Sequence, residues 1–454
     1  MRPALAAPRV LSPPLWRGAA VLGLYHVVFT LLGLVTWPWL LWRFATDRQH
    51  RAAWLARTGR VEPTAPGARA IWIHGVSVGE VKAASTLIER LRVERPELQL
   101  VVSATTPTGH AIARKLYPDA RVIYYPLDFG VFPGRALDRI RPECVLLMEL
   151  EIWPNFLQAA TRRSVPVVIV NGRISKRSFR GYRFVRALLP QLGWVERFLV
   201  QDEAYRERLL ALGLDPTRIA VTGNMKYDSV MLRDPPADSE RVRRWLAPDD
   251  RLVLVCGSTH GQEDEWLARV VARVQERLGR PVRLVLAPRH PERSAAVVEA
   301  LHELGAPCVR WTRCRAGEAE LDEDAIVVVD TIGQLESFYG ACDVAFVGGS
   351  LVRHGGQNML EPAVMARAVV VGPHTENFKR DVEMLVGADA IVVVSDRESL
   401  ADAFERLLRD PDERAELGRR AVEVIRSNQG ATQRTLDLLQ PVLSRPSESG
   451  HRNP

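Results

Sequence analysis

Cysteine is scarce in this sequence. The 454 residues hold five (Cys144, Cys256, Cys308, Cys314 and Cys342), an odd number with no Cys-x-x-Cys pair. That argues against a disulfide framework or a cysteine-built zinc site and fits a reducing compartment. No cluster of His, Asp and Glu has metal-ligand spacing either, so no metal ion is expected. Asp322-Glu323-Asp324 comes nearest to an acidic metal motif, but it sits in an acidic run before an apolar strand and reads as a solvated loop. Charge of either sign is missing from Gly18 to Trp42, a stretch rich in Leu, Val, Phe and Trp. As a helix it would reach roughly 37 Å, enough to cross a hydrocarbon core of about 30 Å. Trp37, Trp39 and Trp42 crowd its far end, and Arg43, Arg48 and Arg51 follow in place of a small-residue cleavage site. A membrane anchor and linker over residues 1–61 is the expectation, either spanning the bilayer or, bent at Pro38, entering one leaflet.

What is present points to a globular enzyme. A chain of this length suggests two domains, and fractions of 47% hydrophobic and 25% charged residues are ordinary for folded domains. A net charge of +7 favours anionic partners without separating nucleic acid, anionic lipid and nucleotide-sugar. After a linker containing Pro and Gly at 62–67, short β-rich runs near 70–74, 98–104, 122–125, 144–148, 165–170 and 197–201 alternate with helical segments, the first helix expected over 80–93. A polar linker at 232–240 precedes a second series near 252–257, 282–288, 326–330, 344–348, 369–372 and 390–394, with a helical tail over 399–443. The alternation predicts an α/β chain of two doubly wound, Rossmann-like parallel-sheet domains, at 62–232 and 241–443. Ligands of such sheets sit outside the carboxyl ends of the strands.

Several strand ends carry candidate chemistry. Ile71-Trp-Ile-His-Gly-Val-Ser-Val-Gly-Glu80 reads as a strand, a tight glycine turn and a helix that opens on an acid. Gly75 and Gly79 permit the turn and Ser77 can cap the helix. Glu80 is then either a catalytic carboxylate at the crevice or a charge that complements the helix dipole. Glu149 and Glu151 end the strand in Leu146-Leu-Met-Glu-Leu-Glu-Ile-Trp-Pro-Asn155. They are expected on opposite sides, one functional and one structural. Arg173 to Arg186 interleaves six cations with three aromatics, a composition that suits phosphorylated lipid, nucleic acid or a plain solvated helix. In the second half, Arg289 ends a strand where it can meet an anion. Val347 to Glu361 is a glycine-rich loop running into a helix expected near Asn358, whose exposed amides would cradle a phosphate.

Taken in order, these segments resemble the Kdo transferases of Gram-negative bacteria, which attach 3-deoxy-D-manno-octulosonic acid (Kdo) to the lipid A precursor. The resemblance runs through His74-Gly-Val-Ser-Val-Gly-Glu80, Thr105-Thr-Pro-Thr-Gly109, Met148-Glu-Leu-Glu-Ile-Trp-Pro-Asn155 and Val221-Thr-Gly-Asn-Met-Lys-Tyr-Asp228. It continues through Pro288-Arg-His-Pro-Glu-Arg293, Phe346-Val-Gly-Gly-Ser350, Gly356-Gln-Asn-Met-Leu-Glu361 and Gly372-Pro-His-Thr-Glu-Asn-Phe378. It implies a GT-B fold, CMP-Kdo as donor, the diphosphorylated lipid IVA as acceptor, no nucleic acid, no metal or other cofactor, and a place on the cytoplasmic face of the inner membrane. It also implies roles: Glu80 as general base, Glu149 and Lys226 as transition-state stabilisers. Pro288, Arg289, Gly333, Gln334, Leu335, Asn358, Met359, Leu360 and Glu361 would bind CMP. Gln334 and Met359 depart from the family pattern, which has Glu and Pro there. The chemistry agrees, since a single leaving phosphate can be stabilised by cations and a helix amino terminus, and one carboxylate behind the anomeric carbon suffices for inversion. The alternatives are a GT-B enzyme acting on a UDP-sugar, or a membrane tether without activity. A tether leaves the acids and glycine loops at the strand ends unexplained.

Overall fold

A computed structural model describes residues 54–184, 190–231, 236–249 and 251–444, with Gly23, Thr46 and Arg51 as isolated positions. Apart from Gly23, the apolar stretch expected to anchor the chain lies outside the described residues. Among the described residues no helix is long and apolar enough to cross a membrane. The chain divides into two compact units, 1–229 with 429–454 and 230–428.

The first unit is built on seven strands, β1 (Arg69–His74), β2 (Leu98–Ala104), β3 (Arg121–Tyr124), β4 (Pro142–Met148), β5 (Val167–Gly172), β6 (Arg197–Val200) and β7 (Ile219–Val221). They pair in parallel in the order β3-β2-β1-β4-β5-β6-β7. Their apolar runs are continuous because both faces are covered. Ala70 and Trp72 enter one core cluster while Ile71 and Ile73 enter the other, and all four are buried. The burial of Ile71 and of Ile73 contributes about 1.5–3 kcal/mol each. β7, three residues long, is too short to show a periodicity in sequence. The helix expected over 80–93 forms as two, Val78–Ala83 and Ser85–Glu94, with Ala84 between them.

The second unit repeats the plan with β8 (Leu252–Thr259), β9 (Val282–Pro288), β10 (Cys308–Arg310), β11 (Ile326–Val328), β12 (Val344–Val347), β13 (Ala368–Val371) and β14 (Val392–Val393), all parallel, in the order β10-β11-β9-β8-β12-β13-β14. The tail, read from sequence as wholly part of this unit, divides. Helices Arg397–Arg409 and Pro411–Ser427 stay here, but Ala431–Leu443 packs on the first unit. Its Leu436, Leu439 and Val442 join the core of Leu91 and Leu146. Asp228 fixes its start by accepting from Gly430 N at 2.7 Å and Thr432 N at 2.6 Å. An apolar stripe reveals that a helix is buried but not against which sheet, which is why the sequence alone misplaced it.

Candidate active site

In the first unit the strand order reverses at β1, whose neighbours are β2 and β4. Open parallel sheets bind ligands outside the strand ends at such a point. Glu80 follows β1, and Glu149 and Glu151 follow β4. The chain turns at Gly75, where a Cβ would lie 3.1 Å from the Cβ of Glu80 and from Val81 N. Ser77 caps the next helix, its Oγ accepting from Glu80 N at 3.4 Å and donating to Glu80 Oε1 at 2.9 Å. Glu80 Oε2 accepts from Val76 N at 2.7 Å. Both oxygens are therefore oriented, in a variant of the capping box, and each retains a lone pair for a further proton. Capping and proton transfer are compatible functions of this one carboxylate.

Glu149 begins where β4 stops, with its N–H donating to Val170 O at 2.9 Å and its φ at 57°. A non-glycine residue in the left-handed region costs about 1 kcal/mol or more, so the surroundings must hold it there. The expected divergence of Glu149 and Glu151 does not occur, because residues two apart along an extended chain share a face, and both Glu80 and Glu149 act electrostatically on Glu151. Burial raises Glu149 above the ordinary carboxylate range. Arg173, whose Nη2 lies 3.3 Å from Oε2, opposes that rise, and Glu80 adds to it. Glu151 has neither a cation nor a hydrogen-bond partner among the described residues. Burial, then Glu80, then Glu149 push it up to about 7. The sequence set one of Glu149 and Glu151 as functional and the other as a structural hydrogen-bond acceptor; the only signal for Glu151 was a second acid three residues past the strand end. Beneath the cluster, His74 stacks on Tyr125 at 3.7 Å with Nδ1 2.9 Å from Ser103 Oγ, and burial lowers it to about 3, so the ring stays neutral.

Lys226 stands past β7, at the strand-end rim of the same unit. Asn224 Oδ1 accepts from Lys226 N at 3.0 Å, and Asn171, at the end of β5 with a φ of 55°, accepts from Met225 N at 3.1 Å. The segment read as a basic patch separates by role. Arg173 pairs with Glu149, while helix Lys176–Phe184 turns Phe179 and Tyr182 toward the core and leaves Lys176, Arg177, Arg180 and Arg183 exposed. None of those four cations has a carboxylate partner among the described residues. Residues 185–189 of the patch lie outside them.

In the second unit the order reverses at β8, between β9 and β12. Here the glycine-rich loop differs from the expected cradle. Glu263, fully buried, takes its amides: Oε2 accepts from Gly349 N at 2.7 Å and His260 N at 2.8 Å, and Oε1 from Ser350 N at 3.1 Å and Leu351 N at 2.9 Å. Gly348 is glycine because a Cβ would lie 2.6 Å from Ser258 O. The loop is thus locked by an internal carboxylate, and the helix beyond it is only Leu360–Val364, two residues later than expected. Met359 and Leu360 have fully buried side chains, so they can offer a ligand only backbone. Asn358 Nδ2 donates to Glu361 Oε1 at 3.0 Å, while Asn358 Oδ1 is buried without a partner among the described residues.

The other nucleotide-site candidates are placed more simply. Pro288 ends β9, and Arg289 after it is exposed; among the described residues only its backbone N–H is engaged, to Thr259 O at 3.1 Å. Gly333 has a φ of 86° and precedes Gln334, which stands at the start of helix Leu335–Ala341 without a side-chain capping bond and accepts at Oε1 from Thr331 Oγ1 at 3.0 Å and from Trp311 Nε1. Leu335 packs on the core. His260, which the sequence reading missed, donates from Nδ1 to Ser258 O at 2.9 Å and stacks on His354 at 3.9 Å beside the same loop. Among the described residues no three His, Cys, Asp or Glu side chains group as metal ligands.

Residues 52–229, which hold all three glutamates and Lys226, match the family model described as 3-Deoxy-D-manno-octulosonic-acid transferase (kdotransferase). The chain is 36% identical over 391 residues to the 3-deoxy-D-manno-octulosonic acid transferase of Haemophilus influenzae, covering 84% of this chain and 88% of that one. Against the 3-deoxy-D-manno-octulosonic acid transferase of Bordetella pertussis the identity is 34% over 434 residues, covering 92% and 98%. The UDP-GlcNAc 2-epimerase from Neisseria meningitidis, solved bound to UDP-GlcNAc, is similar with a TM-score of 0.55 and 12% identity, over 82% of this chain and 99% of that one. That likeness is one of fold, two parallel-sheet α/β units in succession. On the strength of identity sustained along most of its length, the chain belongs to the 3-deoxy-D-manno-octulosonic acid transferase family.

Proposed function

We propose that the chain transfers Kdo from CMP-Kdo to the lipid A precursor lipid IVA, with inversion, in lipopolysaccharide biosynthesis. The observation that carries this reading is 36% and 34% identity with two Kdo transferases over 84% and 92% of the chain. In a GT-B arrangement the first unit takes the acceptor and the second the donor. Glu80, aimed by Val76 N and Ser77 Oγ, removes the proton of the attacking lipid hydroxyl. That oxygen bonds to the anomeric carbon as the bond from that carbon to the phosphate oxygen breaks, and CMP departs. Arg289 pairs with the leaving phosphate, while Glu149 and Lys226 stabilise charge in the transition state. Pro288, Gly333, Gln334, Leu335 and Asn358 to Glu361 shape the nucleotide pocket, Met359 and Leu360 through their backbone. Cationic side chains do the work that a metal does elsewhere, so the reaction is proposed to run without one.

The acceptor is a lipid, and the apolar stretch 18–42 with the exposed cations of helix Lys176–Phe184 supports attachment to the cytoplasmic face of the inner membrane. The test is mass spectrometry of the lipid after incubation with the purified chain and CMP-Kdo in the presence of EDTA, with free CMP and free UDP as competitors. A mass gain of one or more Kdo units, blocked by CMP, is expected. No gain, or inhibition by UDP in place of CMP, would refute the assignment.

A further inference from the structure

Arg57 precedes every site residue named above, and its backbone is fixed. Its carbonyl accepts from Leu127 N at 2.9 Å, and the next residues are clamped by Arg135 Nη1 on Thr58 O at 3.2 Å and Arg139 Nη1 on Val61 O at 3.0 Å. Gly59, at a φ of 73°, passes so close to helix Phe132–Ile140 that a Cβ would sit 2.3 Å from Phe132 O. Arg57 Nε donates to Tyr125 O at 3.2 Å. That places the guanidinium just beyond β3, at the same end of the sheet as Glu80 and Glu149. This is its single side-chain hydrogen bond, and no carboxylate pairs with it among the described residues.

Among the described residues its surroundings hold no compensating anion. Burial lowers the guanidinium below the ordinary arginine value with only the Tyr124 phenol opposing, and Arg57 in turn helps keep His74 neutral. Tyr124 stacks on His110 at 4.0 Å with the rings nearly parallel. His110 lies in the first turn of helix Pro107–Leu116, a turn without an acidic residue, and Arg114 follows one turn on. A partly buried cation with no counter-ion is costly to keep, and a guanidinium fork matches the oxygens of a phosphate or carboxylate.

We propose that Arg57 binds an anionic group of a substrate, a phosphate monoester of the acceptor lipid or the carboxylate of the donor sugar, in a subsite beside Tyr124 and His110. The proposal rests on the transferase reading above. Full-length wild type, R57M and R57K are assayed in detergent with the phosphorylated acceptor, the same lipid dephosphorylated, and CMP-Kdo titrated separately. The readout is the ratio of kcat/KM for the two acceptors, which general damage to the fold leaves in place. In R57M the preference for phosphorylated lipid should fall about tenfold or more, and R57K, which keeps the charge but not the fork, should lose part of it. A similar rise in KM for CMP-Kdo with the acceptor ratio intact would support the subsite and assign its anion to the donor. An unchanged ratio with unchanged CMP-Kdo KM, or an equal loss on every substrate, would overturn the proposal and leave Arg57 a clamp on Tyr125. If R57M does not fold, R57K supplies the ratio. A wild-type protein that transfers no Kdo to either lipid would sink the transferase reading instead.

Discussion

Glu151→Gln should make the protein more stable, and only at the higher end of the pH range. The carboxylate has no partner among the described residues, and burial with Glu80 and Glu149 moves it from about 4.5 to about 7. The folded state therefore holds this proton more tightly than the unfolded chain. Below the unfolded value both states are protonated and the group costs nothing. Between the two values the folded state must either keep the proton or ionise against its neighbours, and the penalty grows to its full size above pH 7. Such a displacement corresponds to roughly 3 kcal/mol, which solvent screening at this partly exposed position reduces to roughly 1–2 kcal/mol. For a unit of this size each kcal/mol moves Tm by about 2–4 °C, so the variant should melt about 2–8 °C higher at pH 8. At pH 4 to 4.5 the two proteins should melt together. Thermal melts followed by circular dichroism at both pH values test this. Equal midpoints at pH 8, or a variant that melts lower there, would show that Glu151 is charged and paired, and the account of the three-glutamate cluster would be wrong.

Glu80→Gln should lower the transfer rate by about 10²- to 10⁴-fold with little change in CMP affinity, because the amide keeps the cap on Ser77 but cannot take a proton; a near-normal rate would remove Glu80 as the base. Arg289→Ala should weaken CMP binding about tenfold or more by calorimetry while the protein stays folded, since its side chain has no partner among the described residues; unchanged affinity would rule that role out. Deleting residues 1–44 should release much of the protein from membranes at high salt while Kdo transfer to detergent-dispersed acceptor persists, and charge reversal at Arg177 and Arg180 should weaken the residual binding. A folded but inactive truncation would show that the segment helps to build the active site.

Much of the fold was legible because buried parallel strands announce themselves. Leu252 to Cys256 or Val344 to Val347 are unbroken apolar runs closed by glycine or polar residues, and they formed strands where expected. The short strands Ile219–Val221 and Cys308–Arg310 carry too few residues to show a period. The glycine loop misled for a related reason. Glycines advertise backbone freedom, but whether Gly348 serves a ligand or a close backbone neighbour depends on Ser258, ninety positions earlier. The amides it was expected to offer are held by Glu263, which in sequence looks like one more acid opening a helix.

What the sequence determined by itself was the inventory: two series of strands and helices, an acid after β1, acids after β4, an arginine after β9, and collinear motifs that mark the family. Those are properties of residues and their neighbours along the chain, which local sterics and periodicity encode. Tertiary structure alone decided which groups meet. The fold gathered Glu80 with Glu149 and Glu151 and gave Glu151 no counter-charge among the described residues. The return of Ala431–Leu443 closed the first unit, and the crossing of residues 57–64 over helix Phe132–Ile140 set at the strand ends an arginine with no carboxylate partner among the described residues. Charge and burial act through space, and the distances that govern them exist only once the chain has folded.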